Sequence, residues 1–342
     1  MRIGLIAPIW EPTPPTGYGG IERVVDVLAR HLDRMGHEVT LYATGDSTCP
    51  VERVWSEPIA LRQLGLDTWS GQMSEAIHLS KALQRHREFD IWHNHAGPLG
   101  VAFGEAVGAR MITTLHGPLG GEADRGLNAY AGHPYVSISH SQRAGNPGLS
   151  YLGTVYNGIE TATYGLGARQ EYLLFLGRVS PEKGTHLAIE VARAVGRPLV
   201  IAGKVDPADR VYYEEAIAPH IDGSAVRFIG EVAGARKREV LQGAIALLHL
   251  VQWPEPFGLV MVEAMACGTP VIAMPQGSIP EVITHGRTGF VVGTVHEAMA
   301  ALGQVEAIDP QVCRQEARAR FDAERMAIDY LSLYEQLAFA TL

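Results

Sequence analysis

Short apolar runs alternate with segments of helical period along the whole chain of 342 residues, and this alternation constrains the fold more than any other feature. Strands that alternate with helices form a parallel sheet that is covered by helices on both faces. The first helix shows the pattern clearly, because its apolar residues recur at helical spacing until Gly36 ends it. Its apolar face consists of Ile21, Val24, Val25, Leu28, Leu32 and Met35. The predicted strands of this first series are residues 3–7, 39–43, 91–93, 111–116, 135–139 and 154–156.

The alternation starts afresh at residue 172, which predicts a second domain, and the chain length favours two domains as well. Between the two series, residues 157–170 are rich in Gly, Thr and Ala without an apolar period, so we predict a linker there. We therefore expect an α/β protein with two Rossmann-like doubly wound domains, residues 1–160 and 161–321, followed by a C-terminal helix within residues 322–342. Ligands of such sheets bind at the carboxyl ends of the strands. The predicted strands of the second series are residues 172–176, 199–202, 226–229, 246–250, 270–273 and 290–292.

Charge and cysteine content exclude several classes of function. The net charge of -9 argues against a nucleic-acid partner, because phosphate binding needs a clustered positive field. Two basic runs, residues 81–87 and 236–238, are predicted to be solvated helix faces rather than lipid-binding patches. Three scattered cysteines fit a reducing compartment, and no apolar stretch is long enough to span a bilayer. We expect a cytoplasmic protein whose first residues form a strand rather than a signal peptide.

The segment from Glu255 to Glu263 points most directly to a function. It follows an apolar run, residues 244–251, that is typical of a buried strand, and it enters a predicted helix at residues 259–266. One carboxylate thus lies in the loop at a strand end, and the other lies just over one turn inside the helix. Between them Gly258 allows a ligand to approach the backbone, and the first N–H groups of the helix can bind an anion. Two hydroxyl-binding acids beside an anion site suit a nucleotide-activated sugar.

Two further loops could bind phosphate. Gly19 and Gly20 precede the first helix, although Glu22 stands where the dinucleotide fingerprint requires a third glycine, so a plain glycine turn is an equal alternative. Arg178 and Lys183 flank a turn after the first strand of the second series. They form either a diphosphate clamp or an ordinary surface turn, and the acidic segment at the same edge favours the clamp.

Other reactive groups give no separate site. His93, His95 and His116 follow strand ends, but no acidic or cysteine ligand lies at supporting spacing, and no Asp-x-Asp pair occurs, so we expect no metal. The sequence contains no Gly-x-Ser-x-Gly nucleophile motif. Ser139 is predicted to cap a helix rather than to act as a nucleophile.

Together these motifs resemble the signature of glycosyltransferase family 4, the retaining enzymes of the GT-B fold. The resemblance covers essentially the whole chain in the right order. It implies a GT-B architecture in which residues 1–160 bind the acceptor, residues 161–321 bind the donor, and a cleft between the domains holds both. It also implies that the last helix crosses back to the N-terminal domain. The matching motifs are Gly19-Gly20, Asn157-Gly158-Ile159, Gly177-Arg178, Lys183-Gly184, Glu255-Pro256-Phe257-Gly258 with Glu263-Ala264, and Gly277-Ser278-Ile279-Pro280-Glu281.

The same resemblance implies a role for each matching residue. Arg178 and Lys183 would bind the donor diphosphate, Glu263 the ribose and Glu255 the transferred sugar, while His116 would lie near the anomeric carbon. Further donor contacts are expected from Gly19, Gly20, Phe257, Gly258, Leu259 and Val260. The nucleobase is expected against the loops that contain Gly203, Lys204, Glu231 and Val232. The acceptor side is expected to include Trp10, Glu11, Tyr18, His93 and His95.

The family's favoured mechanism implies front-face substitution with retention of configuration and without a metal or other cofactor. A covalent glycosyl-enzyme through Glu255 is the weaker alternative. The expected partners are a UDP-, GDP- or dTDP-sugar and a small-molecule or saccharide acceptor. A sugar-nucleotide epimerase or hydrolase, and a non-catalytic sugar-nucleotide-binding protein, remain alternatives. Docking on a membrane, as in some relatives, and the oligomeric state are left open.

Overall fold

The computed structural model describes residues 1–339, and the chain divides into two compact units. The first unit comprises Met1–Gly158 and the chain from Ala323 onward, and the second comprises Ile159–Asp322. The boundaries thus follow residues 158 and 322, where the sequence analysis placed them after residues 160 and 321. Residues 340–342 of the predicted final helix lie outside the described residues.

The first unit is built on a seven-stranded parallel sheet with the order β3-β2-β1-β4-β5-β6-β7. The central strand β1 is almost completely buried, with Ile3 paired to Val39 on one side and to Ile91 on the other. Such burial on both faces explains why its sequence is nearly continuous in apolar residues. The strands are β1 Arg2–Ile6, β2 Glu38–Ala43, β3 Glu52–Trp55, β4 Ile91–Asn94, β5 Met111–Leu115, β6 Tyr135–Ser137 and β7 Tyr151–Thr154.

Helices flank the strands of the first unit. In α1 the predicted apolar face is buried, including Val24, Val25, Leu28 and Leu32. Ser139 caps α6 from the position before its first residue, and its side chain accepts a hydrogen bond from the Gln142 N–H, so the predicted cap is confirmed. The helices are α1 Gly20–Arg34, α2 Leu61–Leu64, α3 Thr68–Leu83, α4 Pro98–Val107, α5 Arg125–Asn128, α6 His140–Gly145 and the C-terminal α14 Ala323–Phe339, with α7 to α13 in the second unit.

A buried polar network holds α14 in the first unit. His93 Nδ1 lies 2.7 Å from the Tyr334 hydroxyl, and His93 Nε2 lies 2.7 Å from the Thr114 hydroxyl. The Thr114 hydroxyl also lies 2.9 Å from the Tyr330 hydroxyl. Burial lowers the pKa of His93 well below its ordinary value, so the ring is neutral. The prediction that His93 lines the acceptor side is therefore wrong, because His93 is fully buried and both of its nitrogens are bound within the unit.

The second unit is built on a six-stranded parallel sheet with the order β10-β9-β8-β11-β12-β13. Its strands are β8 Tyr172–Leu176, β9 Leu199–Ala202, β10 Val226–Phe228, β11 Ala244–His249, β12 Val271–Ala273 and β13 Gly289–Val291. Its helices are α7 Thr185–Ala194, α8 Arg210–Tyr212, α9 Gly234–Gly243, α10 Leu259–Ala266, α11 Ile279–Val282, α12 Val295–Leu302 and α13 Pro310–Phe321. Strands β8 and β11 are adjacent, so the two loops that carry the predicted donor residues leave neighbouring strands at the same edge.

The structure corrects the strand assignment at two places. Strand β3 was not predicted, because this edge strand is largely exposed and lacks an apolar face. The strand predicted at residues 154–156 lies earlier, at Tyr151–Thr154. This strand is half-buried and contains Gly153, so its apolar signal is weak and the assignment shifted to the next apolar residues.

Candidate active site

Carboxylates surround Arg178 in the loop after β8. Its Nη1 donates to Asp209 Oδ2 at 2.8 Å, its Nη2 donates to Glu182, and its Nε lies 4.0 Å from Asp206 Oδ2. The side chain of Arg178 is 29% exposed, so solvent and ligands can reach it. The predicted phosphate-binding cation is therefore accessible, and its charge is balanced within the second unit.

Lys183 and Glu255 form the centre of the candidate site. The Lys183 ammonium lies 2.5 Å from Glu255 Oε2 and 4.6 Å from the ring of Trp253, whose indole N–H donates to the same carboxylate oxygen at 3.0 Å. His249 lies beneath them, with Nε2 at 3.9 Å from Glu255 Oε2, and burial lowers its pKa to about 4. His249 is thus neutral at pH 7, and the ammonium of Lys183 is the cation that pairs with Glu255. Trp253 and His249 were not identified from the sequence.

Two glycines let the backbone segments of this site approach each other. A Cβ at Gly184 would lie 2.0 Å from the Leu250 carbonyl oxygen, and one at Gly277 would lie 2.2 Å from the Glu255 carbonyl oxygen. Both residues also have positive φ angles, 72° and 63°, which L side chains rarely adopt. Ser278 completes the contact, because its N–H donates to the Glu255 carbonyl and its hydroxyl donates to the Phe257 carbonyl, each at 2.9 Å. The loop at residues 277–281 therefore supports the acidic segment.

The acidic segment folds as predicted from its residues. Gly258 precedes α10 with a φ of 78°, and the helix starts at Leu259. The backbone N–H groups of the first turn, which includes Val260, therefore point toward the N-terminal end of the helix, where Phe257 lies. Glu263 lies inside the helix and is only 1% exposed.

Glu263 is held by two residues that the sequence analysis did not identify as part of a site. Its Oε1 accepts hydrogen bonds from Lys237 Nζ at 2.6 Å and from the Tyr164 hydroxyl at 3.0 Å. The prediction that residues 236–238 form a solvated face is therefore wrong for Lys237, whose side chain is 17% exposed. The buried Val240 and Leu241 lie three and four residues further along α9, which places Lys237 on the inner face.

The loops after β8, β9 and β10 are joined through their backbones. Gly177 N–H donates to Ala202 O at 3.0 Å, Val179 N–H to Lys204 O at 2.9 Å, and Gly203 N–H to Gly230 O at 2.8 Å. A Cβ at Gly203 would lie 1.7 Å from the Gly177 carbonyl oxygen, so only glycine fits there. The structure thus brings Gly203 and Lys204 next to the Arg178 loop. Two further predicted nucleobase-side residues follow Gly230 directly, the exposed Glu231 and the half-buried Val232.

The predicted phosphate turn of the first unit has an unusual backbone. Gly19 precedes α1 with a φ of 141°, and Gly20 is the first residue of the helix. A Cβ at Gly19 would lie 2.7 Å from Pro15 and 3.0 Å from a carboxylate oxygen of Glu22. Burial raises the pKa of Glu22 to about 7. The carboxyl group behind the turn is thus partly neutral at pH 7, which lessens its repulsion of an anion.

The first unit also contains a cavity of about 340 Å³ at the ends of β1, β4 and β5. Trp10, His95 and His116 line it. Trp10 and His95 are two of the predicted acceptor-side residues, and His116 is the histidine predicted near the anomeric carbon; these roles stay predictions. Glu11 and Tyr18 are not among its described lining residues, since Glu11 pairs with Arg62 and Tyr18 is 48% exposed. The full lining comprises Pro8, Trp10, Ile21, Glu75, His95, Ala96, Gly97, Pro98, Thr114, Leu115, His116, Gly117, Pro118, Leu119, Asp124 and Leu127.

The described residues contain neither a cluster of metal ligands nor a helix suited to cross a membrane. No group of three or more His, Cys, Asp or Glu side chains within residues 1–339 is arranged to hold a metal ion. Over the same residues, no helix combines the length and the apolar character that crossing a membrane requires.

Models of two protein families match the chain. The model for glycosyl transferases group 1 matches residues 160–321, which contain Arg178, Lys183, Glu255 and Glu263. The model for Glycosyltransferase Family 4 matches residues 18–146, from the glycine turn to α6. The chain belongs to glycosyltransferase family 4.

Individual proteins agree with this assignment. The glycosyltransferase is 27% identical to a glycogen synthase of Mycobacterium tuberculosis, over 96% of this chain and 91% of the relative. It is also similar to the crystal structure of AviGT4, a glycosyltransferase involved in avilamycin A biosynthesis, with 26% identity, a TM-score of 0.76, and coverage of 100% and 99% of the two chains. HepE of Anabaena, solved with UDP and glucose, has the same fold at 22% identity and a TM-score of 0.75, with coverage of 97% and 98%. These similarities show the GT-B fold of two parallel-sheet domains.

The Lys237–Glu263 pair in the glycosyltransferase gives a test of stability. We expect Lys237→Met to lower the free energy of unfolding by about 3–5 kcal/mol, because it leaves a buried carboxylate without its cation. The double variant Lys237→Met/Glu263→Gln should recover part of this loss, since the unpaired charge is then removed as well. Urea unfolding followed by circular dichroism measures both effects.

The neighbouring Arg236→Met is the matched control. Arg236 pairs with Glu239 on the exposed face of α9, so its replacement should leave the urea midpoint unchanged. Equal effects of the Lys237 and Arg236 substitutions would contradict a structural role for the Lys237–Glu263 pair.

Proposed function

We propose that this glycosyltransferase transfers a sugar from a nucleoside-diphosphate sugar, with UDP, GDP or dTDP as the nucleotide, to an acceptor hydroxyl with retention of configuration. The observation that carries this proposal is the convergence of Arg178, Lys183 and Glu255 at one edge of the second sheet, beside the start of α10 and Glu263. Two accessible cations suit a diphosphate, and two carboxylates suit hydroxyl groups. HepE, which shares the fold, was solved with UDP and glucose, and this supports the class of donor.

In this proposal the donor diphosphate replaces the carboxylates that pair with the two cations in the absence of donor. Lys183 is bound by Glu255, and Arg178 by Glu182 and Asp209, so each cation is already positioned and need not be ordered when the donor binds. When the bond to the sugar breaks, negative charge grows on the leaving diphosphate. Arg178 and Lys183 stabilise that charge more strongly than the charge of the intact donor, and this difference lowers the barrier.

The two glutamates then have different roles. Glu263 would bind the ribose hydroxyls, and Lys237 and Tyr164 fix the position of its carboxylate. Glu255 would bind hydroxyls of the transferred sugar, next to the N–H groups that start α10. One oxygen of Glu255 already contacts Lys183 and Trp253, an arrangement that suits positioning better than nucleophilic attack.

Retention follows if the acceptor attacks from the face that the diphosphate leaves. A phosphate oxygen of the donor would accept the proton of the acceptor hydroxyl while an oxocarbenium-like state forms. Burial lowers the pKa of His116 to about 4, so at pH 7 this residue contributes hydrogen bonds rather than charge. The role of His116 would be to position the reacting sugar and hydroxyl.

The proposal predicts the effect of removing either cation. Arg178→Ala and Lys183→Ala should each reduce kcat by about 10²–10³-fold or more, because the leaving group loses a preorganised positive charge. Transfer is measured by mass spectrometry of the product and by release of the nucleoside diphosphate, with circular dichroism to verify folding. Arg193→Ala, on the exposed side of α7, is the matched control and should keep full activity. Normal turnover of the Arg178 and Lys183 variants would contradict the assigned roles.

The stereochemical outcome is a separate prediction. We expect the anomeric configuration of the donor to be kept in the product, and the coupling constant of the anomeric proton in the NMR spectrum reports it directly. An inverted product would exclude the front-face mechanism. Consumption of donor in the absence of any acceptor would instead favour an epimerase or hydrolase.

We also propose that transfer needs no divalent metal. Arg178 and Lys183 supply the positive charge that a metal would bring to the diphosphate. Treatment with EDTA should therefore leave the rate of transfer unchanged. A rate that is lost in EDTA and restored by Mg²⁺ or Mn²⁺ would show that a metal takes part.

A further inference from the structure

The chemistry of the cavity in the first unit identifies the kind of acceptor, provided that the proposed transfer function holds. We propose that the acceptor is an uncharged and largely apolar alcohol, such as a terpenoid or aromatic aglycone, whose hydroxyl binds His95. The volume of about 340 Å³ suits one such molecule or a ring system of similar size.

Apolar side chains form most of the cavity wall, and several polar atoms of the wall already have partners. The indole N–H of Trp10 donates to Glu75 at 2.8 Å. Asp124 accepts from the Gly120 N–H at 2.8 Å and from the Asn146 side chain at 2.9 Å. The hydroxyl of Thr114, as described above, is bound in the α14 network. A saccharide of this size would bury many hydroxyls without partners, and each unpaired group would weaken binding.

His95 carries a buried polar atom of the described wall that has no partner. It is 3% exposed, its Nδ1 lies 2.9 Å from His116 Nε2, and its Nε2 is buried without a hydrogen-bond partner among the described residues. A buried nitrogen without a hydrogen-bond partner is energetically unfavourable, and a ligand atom that binds Nε2 would remove this cost. A hydroxyl can both donate and accept, so it satisfies Nε2 in either tautomer of the ring.

The charge of the cavity disfavours phosphorylated or carboxylated acceptors. Its described lining includes Glu75 and Asp124 but no Lys or Arg. Burial lowers the pKa of both His95 and His116, so neither ring offers a positive charge at pH 7. An anionic group would thus lose its hydration without gaining a cation. The cavity therefore selects against acceptors such as polyol phosphates.

A panel of acceptors tests the inference with the full chain. Thermal shift first identifies the nucleoside diphosphate that binds, and transfer from the corresponding sugar donors is then measured to menthol, 4-methylumbelliferone, methyl β-maltoside and myo-inositol 1-phosphate. We expect kcat/KM for at least one of the first two to exceed that for the last two by about 10-fold or more. Equal or better transfer to the maltoside or the inositol phosphate would overturn the inference and leave the transfer function intact.

If none of the four compounds is glycosylated, their binding to the protein, measured by calorimetry, tests the inference. Binding of menthol or 4-methylumbelliferone, but not of the other two compounds, supports the inference, and absence of that binding overturns it. A chain that binds no nucleoside diphosphate and consumes no donor would contradict the proposed function itself, and the acceptor assignment would fall with it.

Variants of His95 test its role as a positioning residue. We expect His95→Ala to raise KM for the apolar alcohol by about 10-fold or more, and His95→Gln to restore much of the loss because its amide can also donate and accept. Binding of the nucleoside diphosphate should be unchanged in both. His296→Ala, on the exposed face of α12, is the control. Unchanged KM in both folded variants would overturn the role of His95.

A substitution at the cavity wall covers the case in which the His95 variants do not fold. Leu119 is half-buried in the lining, so Leu119→Arg can place a cation there while its chain stays near the surface. Transfer to the apolar alcohol should fall, and binding of myo-inositol 1-phosphate should rise. No change in either measurement would contradict the assignment of this cavity to the acceptor.

Discussion

Ion pairs hold the candidate site of the second unit together, and the arrangement of its predicted donor residues depends on them. Lys183 binds Glu255, Arg178 binds Asp209, Lys204 binds Asp206 and Lys237 binds Glu263. Most of these side chains are partly buried, so each charge would be costly without its partner. The Lys183–Glu255 and Arg178–Asp209 pairs therefore fix loops from different strands in one geometry before any ligand arrives, and the Lys237–Glu263 pair joins α9 to α10. They also keep an otherwise strongly charged edge of the sheet electrically balanced.

Glycines make that geometry possible by removing side chains where backbones meet. Gly203 lies against the Gly177 carbonyl, Gly184 against Leu250, and Gly277 against Glu255, at distances that no Cβ could tolerate. The loops after β8, β9, β11 and β12 are consequently packed on one another at the backbone level. The ion pairs set the positions of the charged groups, whereas the glycines set the spacing of the chain segments that carry them.

The strands that are buried on both faces could be predicted from the sequence almost to the residue, as β8 and β9 show. Their apolar runs leave little ambiguity. The exposed edge strand β3 gave no such signal. For the site, motif residues such as Arg178 and Glu255 were predicted because they follow strand ends. Asp209 and Lys237 could not be predicted as partners, since they meet Arg178 and Glu263 through tertiary packing, which no local pattern encodes. Trp253 is a local partner, two residues before Glu255, but no motif marks it. The prediction that His93 lies on the acceptor side was wrong for a similar reason, because only the position of α14 shows that His93 belongs to the core.

The hydrogen bonds from α14 to His93 and Thr114 make the first unit discontinuous in the chain. Its core needs residues from both ends of the sequence, while the second unit is a single continuous segment. During synthesis the second unit can therefore finish folding first, although the ribosome makes most of the first unit earlier. Until α14 emerges, His93 and Thr114 lack their contacts to the hydroxyls of Tyr334 and Tyr330. A nascent chain of this glycosyltransferase can thus complete the unit that carries Arg178 and Glu255 before the unit that carries His95 and His116.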